Sequence, residues 1–440
     1  MSSKAERNTV KQNAKREMKP KLRFPEFQGE PAWNAEKLEA VASLITERAG
    51  NKECIPMSIT SGVGLVSQQE KFGRTIAGNQ YENYLVLQKN DFAYNKSATK
   101  EFPQGFITKY SGDEPAAVPN SIFTCFRAHE DRIVPDFLNY LFAGNLHGKW
   151  LKKYIEVSAR AHGSLSIDDE ILLSLPIPLP SGGSSRAEQT KVADCLTNLD
   201  ELIVAHGQKL DALKAFKKGL MQQLFPREGE TQPRLRFPEF QDQPKWEEVA
   251  LGDIAETKLG KMLDVQKHTT GRLLPYLNNA SVRWNDVDTS NLPQMYFDDD
   301  ELERFGLRTG DIVVCEGGEP GRAAVWDGRL PDLKYQKAIH RVRFNVPFEP
   351  RLLVHYLAAI AGTKQFEMLF TGGGIKHLTK ETFAQLKVPH VSHAEQKCIA
   401  FCLSSLDDII FAQIQKIDAL KTHKRGLIQQ LFPSPEEVEA

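Results

Sequence analysis

Several clusters of side chains in this 440-residue chain combine cations with groups that both donate and accept hydrogen bonds. Tyr94, Asn95, Lys96, Ser97 and Lys100 follow a short apolar run; Lys152, Lys153, Tyr154, Arg160 and His162 form a second basic and aromatic group. The second half offers Glu316 and Arg322, then Lys337, His340, Arg341 and Arg343, then Lys376 and His377. Lys and Arg neutralise phosphates, while Asn, Arg and Glu can fork to base edges, so this assortment suits a surface that reads nucleic acid. Glu316 could accept from the amino group of cytosine or serve as an ordinary ion-pair partner. Side chains alternate along the strand pattern at 337–343, so at most half of its cations share a face.

Bond-making chemistry finds no comparable set. There is no Asp/Asn/Ser-Pro-Pro-aromatic tetrapeptide of amino-methyltransferases, no glycine-rich cofactor loop between a strand and a helix, and no nucleotide phosphate loop. TGGGIK (371–376) is glycine-rich but aligns with a turn in the first half, and PDLKYQK (331–337) lacks the acidic-x-Lys element of a nuclease. Cys54, Cys125, Cys195, Cys315, Cys398 and Cys402 are scattered without a CxxC pair, which reads as free thiols. No catalytic or metal-binding residue is predicted, and no cofactor is expected on this chain.

The elements that must position the clusters are written twice. KLRFPEF (21–27) returns as RLRFPEF (234–240), and LDALKAFKKGLMQQLFP (210–226) as IDALKTHKRGLIQQLFP (417–433). Trp33 aligns with Trp246, GSLSIDDEILLSLPIPLP (163–180) with GIKHLTKETFAQLKVPHV (374–391), and EQTKVADCLTNLDELI (188–203) with EQKCIAFCLSSLDDII (395–410). A repeat of about 210 residues means duplicated domains rather than a solenoid. Between these phrases the halves diverge, mixing short β-branched runs with turns before one helical segment each (135–155 and 350–370). That pattern is α+β. The Glu-Gln pairs Glu188–Gln189 and Glu395–Gln396 open the long helices, where an acidic residue complements the helix dipole.

After each head an apolar stripe runs at four-three spacing: Leu196, Leu199, Ile203, Leu210 and Leu213 in one copy, Leu403, Leu406, Ile410, Ile417 and Leu420 in the other. The stripe spans about 37 residues, or roughly 55 Å of helix, with no proline before Pro226 and Pro433. If the stripes pair, connectivity makes them antiparallel, a pseudo-two-fold frame with a head at each end. The predicted layout is a basic, flexible arm (1–20), a first head (21–182), a first long helix (183–226), a second head (227–391), a second long helix (392–433) and an acidic tail (434–440). Two unlike heads at fixed separation suit a split target; 55 Å is about one and a half turns of B-DNA.

Formal net charge is −1, which argues against unspecific coating of nucleic acid. The basic block lies in residues 1–23, where Lys4, Arg7, Lys11, Lys15, Arg16, Lys19, Lys21 and Arg23 face only Glu6 and Glu17. No uninterrupted apolar run approaches the roughly 20 residues of a bilayer span, and no apolar signal core opens the chain, so no membrane and a cytoplasmic location are expected.

The doubled phrase IPLP…EQ…L…LD, the long helix ending in GLxQQLFP and the tandem layout resemble the specificity (S) subunits of type I restriction–modification systems. The resemblance covers essentially the whole chain and rests on the doubling. It implies two target recognition domains reading a bipartite double-stranded DNA sequence, and an antiparallel coiled coil docking two modification (adenine-N6 methyltransferase) subunits. Restriction subunits would join that core. S-adenosylmethionine would belong to the methyltransferase, and ATP and Mg to the restriction subunits. The alternatives are a coiled-coil adaptor whose heads bind proteins, or a similar recognition subunit serving another methyltransferase.

Overall fold

The computed structural model describes residues 18–60, 63–78, 80–157, 165–227, 229–263, 270–372 and 376–434. The basic arm up to residue 17 and the tail from 435 lie outside the described residues. The chain divides into two compact units, Met1–Ala205 with Ile417–Ala440, and His206–Lys416. The long helices are Ser185–Leu224 (40 residues) and His393–Leu431 (39 residues), and the division between the units falls within each of them.

The duplicated phrases build the same clasp in both units. In unit one Arg23 grips the Glu188 carboxylate through Nε and Nη2 at 2.8 and 2.7 Å, and the Trp33 indole donates to the same carboxylate at 3.1 Å. In unit two Arg236 grips Glu395 at 2.7 and 2.7 Å, and Trp246 donates at 3.1 Å. Glu188 and Glu395 are buried, so each needs all three donors to offset its desolvation. The opening Glu of each helix is thus an anchor for the RFPEF arginine and the tryptophan, a stronger role than the dipole complement expected from its position. The adjacent glutamine ties the head's own helix: Gln189 Oε1 accepts from Val134 N–H, and Gln396 Oε1 from Glu349 N–H, both at 2.9 Å.

The ends of the long helices complete the units crosswise. Ile428, Leu431 and Phe432 of the second helix enter the unit-one core, where Phe432 meets Phe137 at 5.1 Å and Trp33 at 6.3 Å between ring centroids. Met221, Leu224 and Phe225 of the first helix enter the unit-two core beside Trp246 and Tyr356. The backbone repeats the exchange: Leu22 N–H donates to Gln430 O, and Leu235 N–H to Gln223 O, each at 2.9 Å. Each buried Leu or Phe contributes roughly 1.5–3 kcal/mol, which explains why QQLFP is kept in both copies.

Each head opens and closes on one antiparallel ladder. Asn34–Lys37 pairs with Pro176–Leu179, and Glu247–Ala250 with Lys387–His390. A four-stranded antiparallel sheet follows in the same order in both: Ala42–Leu44, Phe123–Ala128, Asp91–Asn95, Phe106–Lys109 in unit one, and Ala255–Leu259, Ile339–Phe344, Ile312–Cys315, Ala323–Val325 in unit two. Both central pairs carry a buried carboxylate held by an arginine at two points. Asp91 takes Arg127 at 2.7 and 2.8 Å, and Asp311 takes Arg343 at 2.7 and 2.7 Å. The second sheets differ. Among the described residues, unit one has four strands (Gly64–Ser67, Ile55–Thr60, Ala116–Val118, Leu85–Leu87), and unit two has three (Gln294–Phe297, Arg272–Leu277, Lys334–Tyr335).

The predicted stripes are the shaded faces of the long helices. Leu196, Leu403 and Ile417 are buried, and Leu199, Ile203, Leu210, Leu213, Leu406, Ile410 and Leu420 are half-buried. Within unit two, Gln413 Nε2 donates to the His206 carbonyl at 2.8 Å and lies 2.7 Å from its Nδ1. A matched polar cluster closes each unit. Tyr140 Oη donates to Asp200 at 2.8 Å, and Lys424 pairs with Asp200 at 2.5 Å. In unit two His355 replaces the tyrosine, 3.1 Å from Ser404, while Lys217 pairs with Asp407. The second helix is long and apolar enough to cross a membrane by length and composition, which the count of uninterrupted apolar residues overlooked. Its Ile399, Ala400 and Leu403 lie in the unit-two core.

Removing the clasp carboxylate leaves a buried guanidinium unpaired. Glu188→Ala and Glu395→Ala should each cost about 3–5 kcal/mol, seen in urea unfolding as loss of unit one and unit two respectively. A loss below about 1 kcal/mol, or one spread over both units, would refute the clasp.

Burial holds three histidines neutral: His147 in unit one, pushed down to about 4, and His340 and His355 in unit two, to about 4 and about 3. The 3.9 Å approach of His355 to Asp407 is therefore not an ion pair. The unfolded histidines take up protons near the ordinary value of 6.5 and the folded ones do not. Stability is thus full above about pH 6.5 and falls as pH drops from there towards the folded values, by at most about 1.4 kcal/mol per pH unit per histidine. Asp407, raised by burial, works in the opposite sense at lower pH. Between pH 7 and 5 the urea midpoint of unit two should fall more than that of unit one, and His355→Gln should narrow the gap; parallel falls would contradict this.

Candidate nucleic-acid interface

The two central strands end in equivalent turns. Asp91 to Asn95 runs against Arg127 to Phe123, and Ile312 to Cys315 against Val342 to Ile339, so position 96 matches 316. Lys96 N–H donates to Ile122 O and Glu316 N–H to Ala338 O, both at 2.9 Å; Leu165 N–H donates to Lys96 O and Leu378 N–H to Glu316 O, both at 2.8 Å. Backbone bonds therefore fix both turns in the same way, leaving only their side chains different.

In unit one the predicted cluster separates by burial. Tyr94 is fully buried and its hydroxyl donates to Gln104 O at 2.9 Å, so it is a core residue, against the expectation that it reads bases. Burial pushes its phenol up, and it stays neutral. Asn95 is buried too, its Oδ1 taken by Ser97 N–H at 3.0 Å, which shapes the turn. All five residues of the strand Asp91–Asn95 are buried, so it has no exposed face, and the sequence does not mark where the turn begins. Lys96 and Ser97 are half-buried and Lys100 exposed. Lys96 lines a cleft of about 230 Å³ with Arg48, Asn120, Thr124 and Asp169. Those four come from three separate segments, and no local spacing could have gathered them. Lys152 and Lys153 are exposed, with Tyr154 4.6 Å from Trp150 between ring centroids. Arg160 and His162 lie outside the described residues.

In unit two three predicted cations prove to be struts. Arg341 is buried and bound to Glu256 at 2.6 Å, and Arg343 is held by Asp311. Arg322 is pinned between Glu319 at 2.7 Å and the Asn279 carbonyl at 2.8 Å, so its fork is spent inside the protein. Carboxylates and carbonyls collect guanidinium groups because arginine supplies several donors at once, a use that composition does not separate from base reading. His340 is buried and neutral, 2.7 Å from Leu378 O. What remains outside is Lys337 and His377, both exposed, Lys376, paired with Glu367 at 3.0 Å, and the half-buried Glu316. Gly317 bridges to His377, which brings the 316 turn and the 376–377 segment together. Asn279, whose Nδ2 donates to Gly317 O at 3.0 Å, and Trp284, whose indole donates to Glu319 at 2.8 Å, join this turn and were missed.

Residues 243–422 match the family model of the type I restriction modification DNA specificity domain. Over those residues the chain is similar to type I restriction–modification specificity proteins. It is similar to the type I restriction enzyme MjaVIII specificity subunit of Methanocaldococcus jannaschii (22% identical, 64% of this chain, 67% of the relative). It is also similar to the putative MjaX specificity subunit of that organism (25% identical, 74% of each chain). Two solved structures share its fold. One is from a study of complex assembly and conformational transition of the type I R-M system (TM-score 0.58, 16% identical, 92% of this chain and 98% of that one). The other is a type I restriction–modification S subunit from M. genitalium (TM-score 0.54, 15% identical, 95% and 100%). The matched specificity domain contains the 316 turn, the struts around it and the second clasp glutamate.

Tyr94→Phe should cost about 1 kcal/mol of stability and leave any sequence preference unchanged. Lys100→Ala should weaken binding to all duplexes alike and lower the salt slope by about 1. Fluorescence anisotropy with duplexes of differing sequence, run at several salt concentrations, checks both; a sequence preference altered by Tyr94→Phe would return that residue to the interface.

Proposed function

We propose that the chain is the DNA-recognition subunit of a type I restriction–modification complex. Each head reads one half of a bipartite target. The long helices pair as an antiparallel coiled coil and dock two adenine-N6 methyltransferase subunits, which restriction subunits join. The chain itself makes and breaks no bonds: S-adenosylmethionine belongs to the methyltransferase partner, and ATP and Mg to the restriction partner. Its setting is the cytoplasm.

The observation that carries this reading is the combination of one frame, built twice to the same hydrogen bonds, with two heads whose second sheets and strand-end turns differ. A repeated frame suits like partners, and differing heads suit unlike half-sites. Docking is supported by apolar side chains left exposed at matched positions of the two helices, Leu202 with Ile409 and Val204 with Phe411. Those same side chains are what an adaptor binding other proteins would offer, so duplex binding must decide.

Replacing residues 43–160 by the corresponding stretch of another specificity subunit should change one half of the methylated sequence and leave the other half and complex assembly intact. Mapping methylated adenines in cells that express the chain with its methyltransferase reads this out. Change in both halves would defeat the independent-head reading. No salt-dependent duplex binding by the purified complex would favour the adaptor.

A further inference from the structure

The clefts beside Phe225 and Phe432 belong to the frame, and Arg322, Arg341 and Arg343 of unit two are spent as struts. The strand-end turn is different. At one backbone position, fixed by the same two hydrogen bonds in both heads, unit one carries Lys96 and unit two carries Glu316. Both side chains are half-buried, and neither has a hydrogen-bond or ion-pair partner among the described residues. Around them several neighbouring polar groups are bound: Asn95 Oδ1 within its turn, Thr124 to Asp169 at 2.8 Å, and Arg322 Nη1 to Glu319. An unpaired charge held at a fixed, partly desolvated place is costly unless a ligand completes it.

We propose that positions 96 and 316 are the equivalent base-reading positions of the two heads, with opposite hydrogen-bonding sense. Lys96 donates to the O6 and N7 acceptors of a guanine in the half-site of head one. Glu316 accepts from the N4 amino group of a cytosine in the half-site of head two. The inversion of charge on an identical backbone gives two heads of one architecture different sequence preferences without altering the strand. Asn120 and Arg48, which share the cleft with Lys96, are placed to position the base and its phosphate. The assignment rests on the reading that the heads bind duplex DNA.

The test is selection from a random double-stranded oligonucleotide library by the full chain bound to its methyltransferase, comparing wild type with Lys96→Gln and Glu316→Gln. Both substitutions remove charge; Glu316→Gln keeps the side-chain length and Lys96→Gln shortens it by one atom. Lys96→Gln should relax one G·C pair in one half-site, and Glu316→Gln one pair in the other, each losing on the order of 10- to 100-fold in discrimination with the remaining positions unchanged. Equal weakening on all sequences with a reduced salt slope would make Lys96 a phosphate contact, and unchanged motifs would make both bystanders; either overturns the proposal. A large fall in melting temperature in either variant would show a structural side chain and overturn it as well. A wild-type complex that selects no motif would instead bring down the DNA reading beneath it.

Discussion

Two buried carboxylates, Glu188 and Glu395, organise everything around them. Each stands in the first turn of a long helix and takes three donors, two from the RFPEF arginine and one from the tryptophan that follows. A carboxylate taken out of water costs several kcal/mol unless such donors surround it. The chain is thereby forced to bring its leading segment, the start of one helix and the end of the other to a single point. The glutamine beside each carboxylate extends the constraint to the head's own helix.

What the sequence made legible follows from this constraint. The repeat, the two long helices, their apolar stripes and the α+β heads were readable because they rest on periodicity and on phrases written twice. The clasp itself was not, because Glu188 and Arg23 are 165 residues apart and an acidic residue at a helix start has an ordinary local explanation. The same limit governed the candidate interface. Arg341 and Arg322 carry the composition of a base reader, yet Nη2 of the first is held by Glu256 and both Nη atoms of the second by Glu319 and a backbone carbonyl. Tyr94 lies in a strand whose five residues are all buried. Lys96 and Glu316 stay outside because the ladder ends beneath them.

The two units also separate what is held constant from what is free to vary. The clasp, the opening ladder, the four-stranded sheet and its Asp–Arg pair recur with matching bonds. Among the described residues the second sheet has four strands in one head and three in the other, and the strand-end turn changes sign. Variation has accumulated where no frame residue is touched. The Tyr140 to His355 exchange is the exception. It lies within the frame, keeps the contact to the following helix, and makes that unit sensitive to acid.

The crosswise placement of Ile428, Leu431 and Phe432 has a further consequence for how the molecule is made. Unit two is continuous, His206–Lys416, whereas unit one needs its last helical segment from Ile417 onward. During synthesis from the N-terminus, the residues of unit one emerge first yet cannot close their core. Trp33 and Phe137 lack Phe432 until nearly the whole chain has been translated. Unit two completes before unit one, and the nascent first head waits with apolar surface uncovered. Such an order exposes the early half to aggregation and makes it a natural client for chaperones on the ribosome.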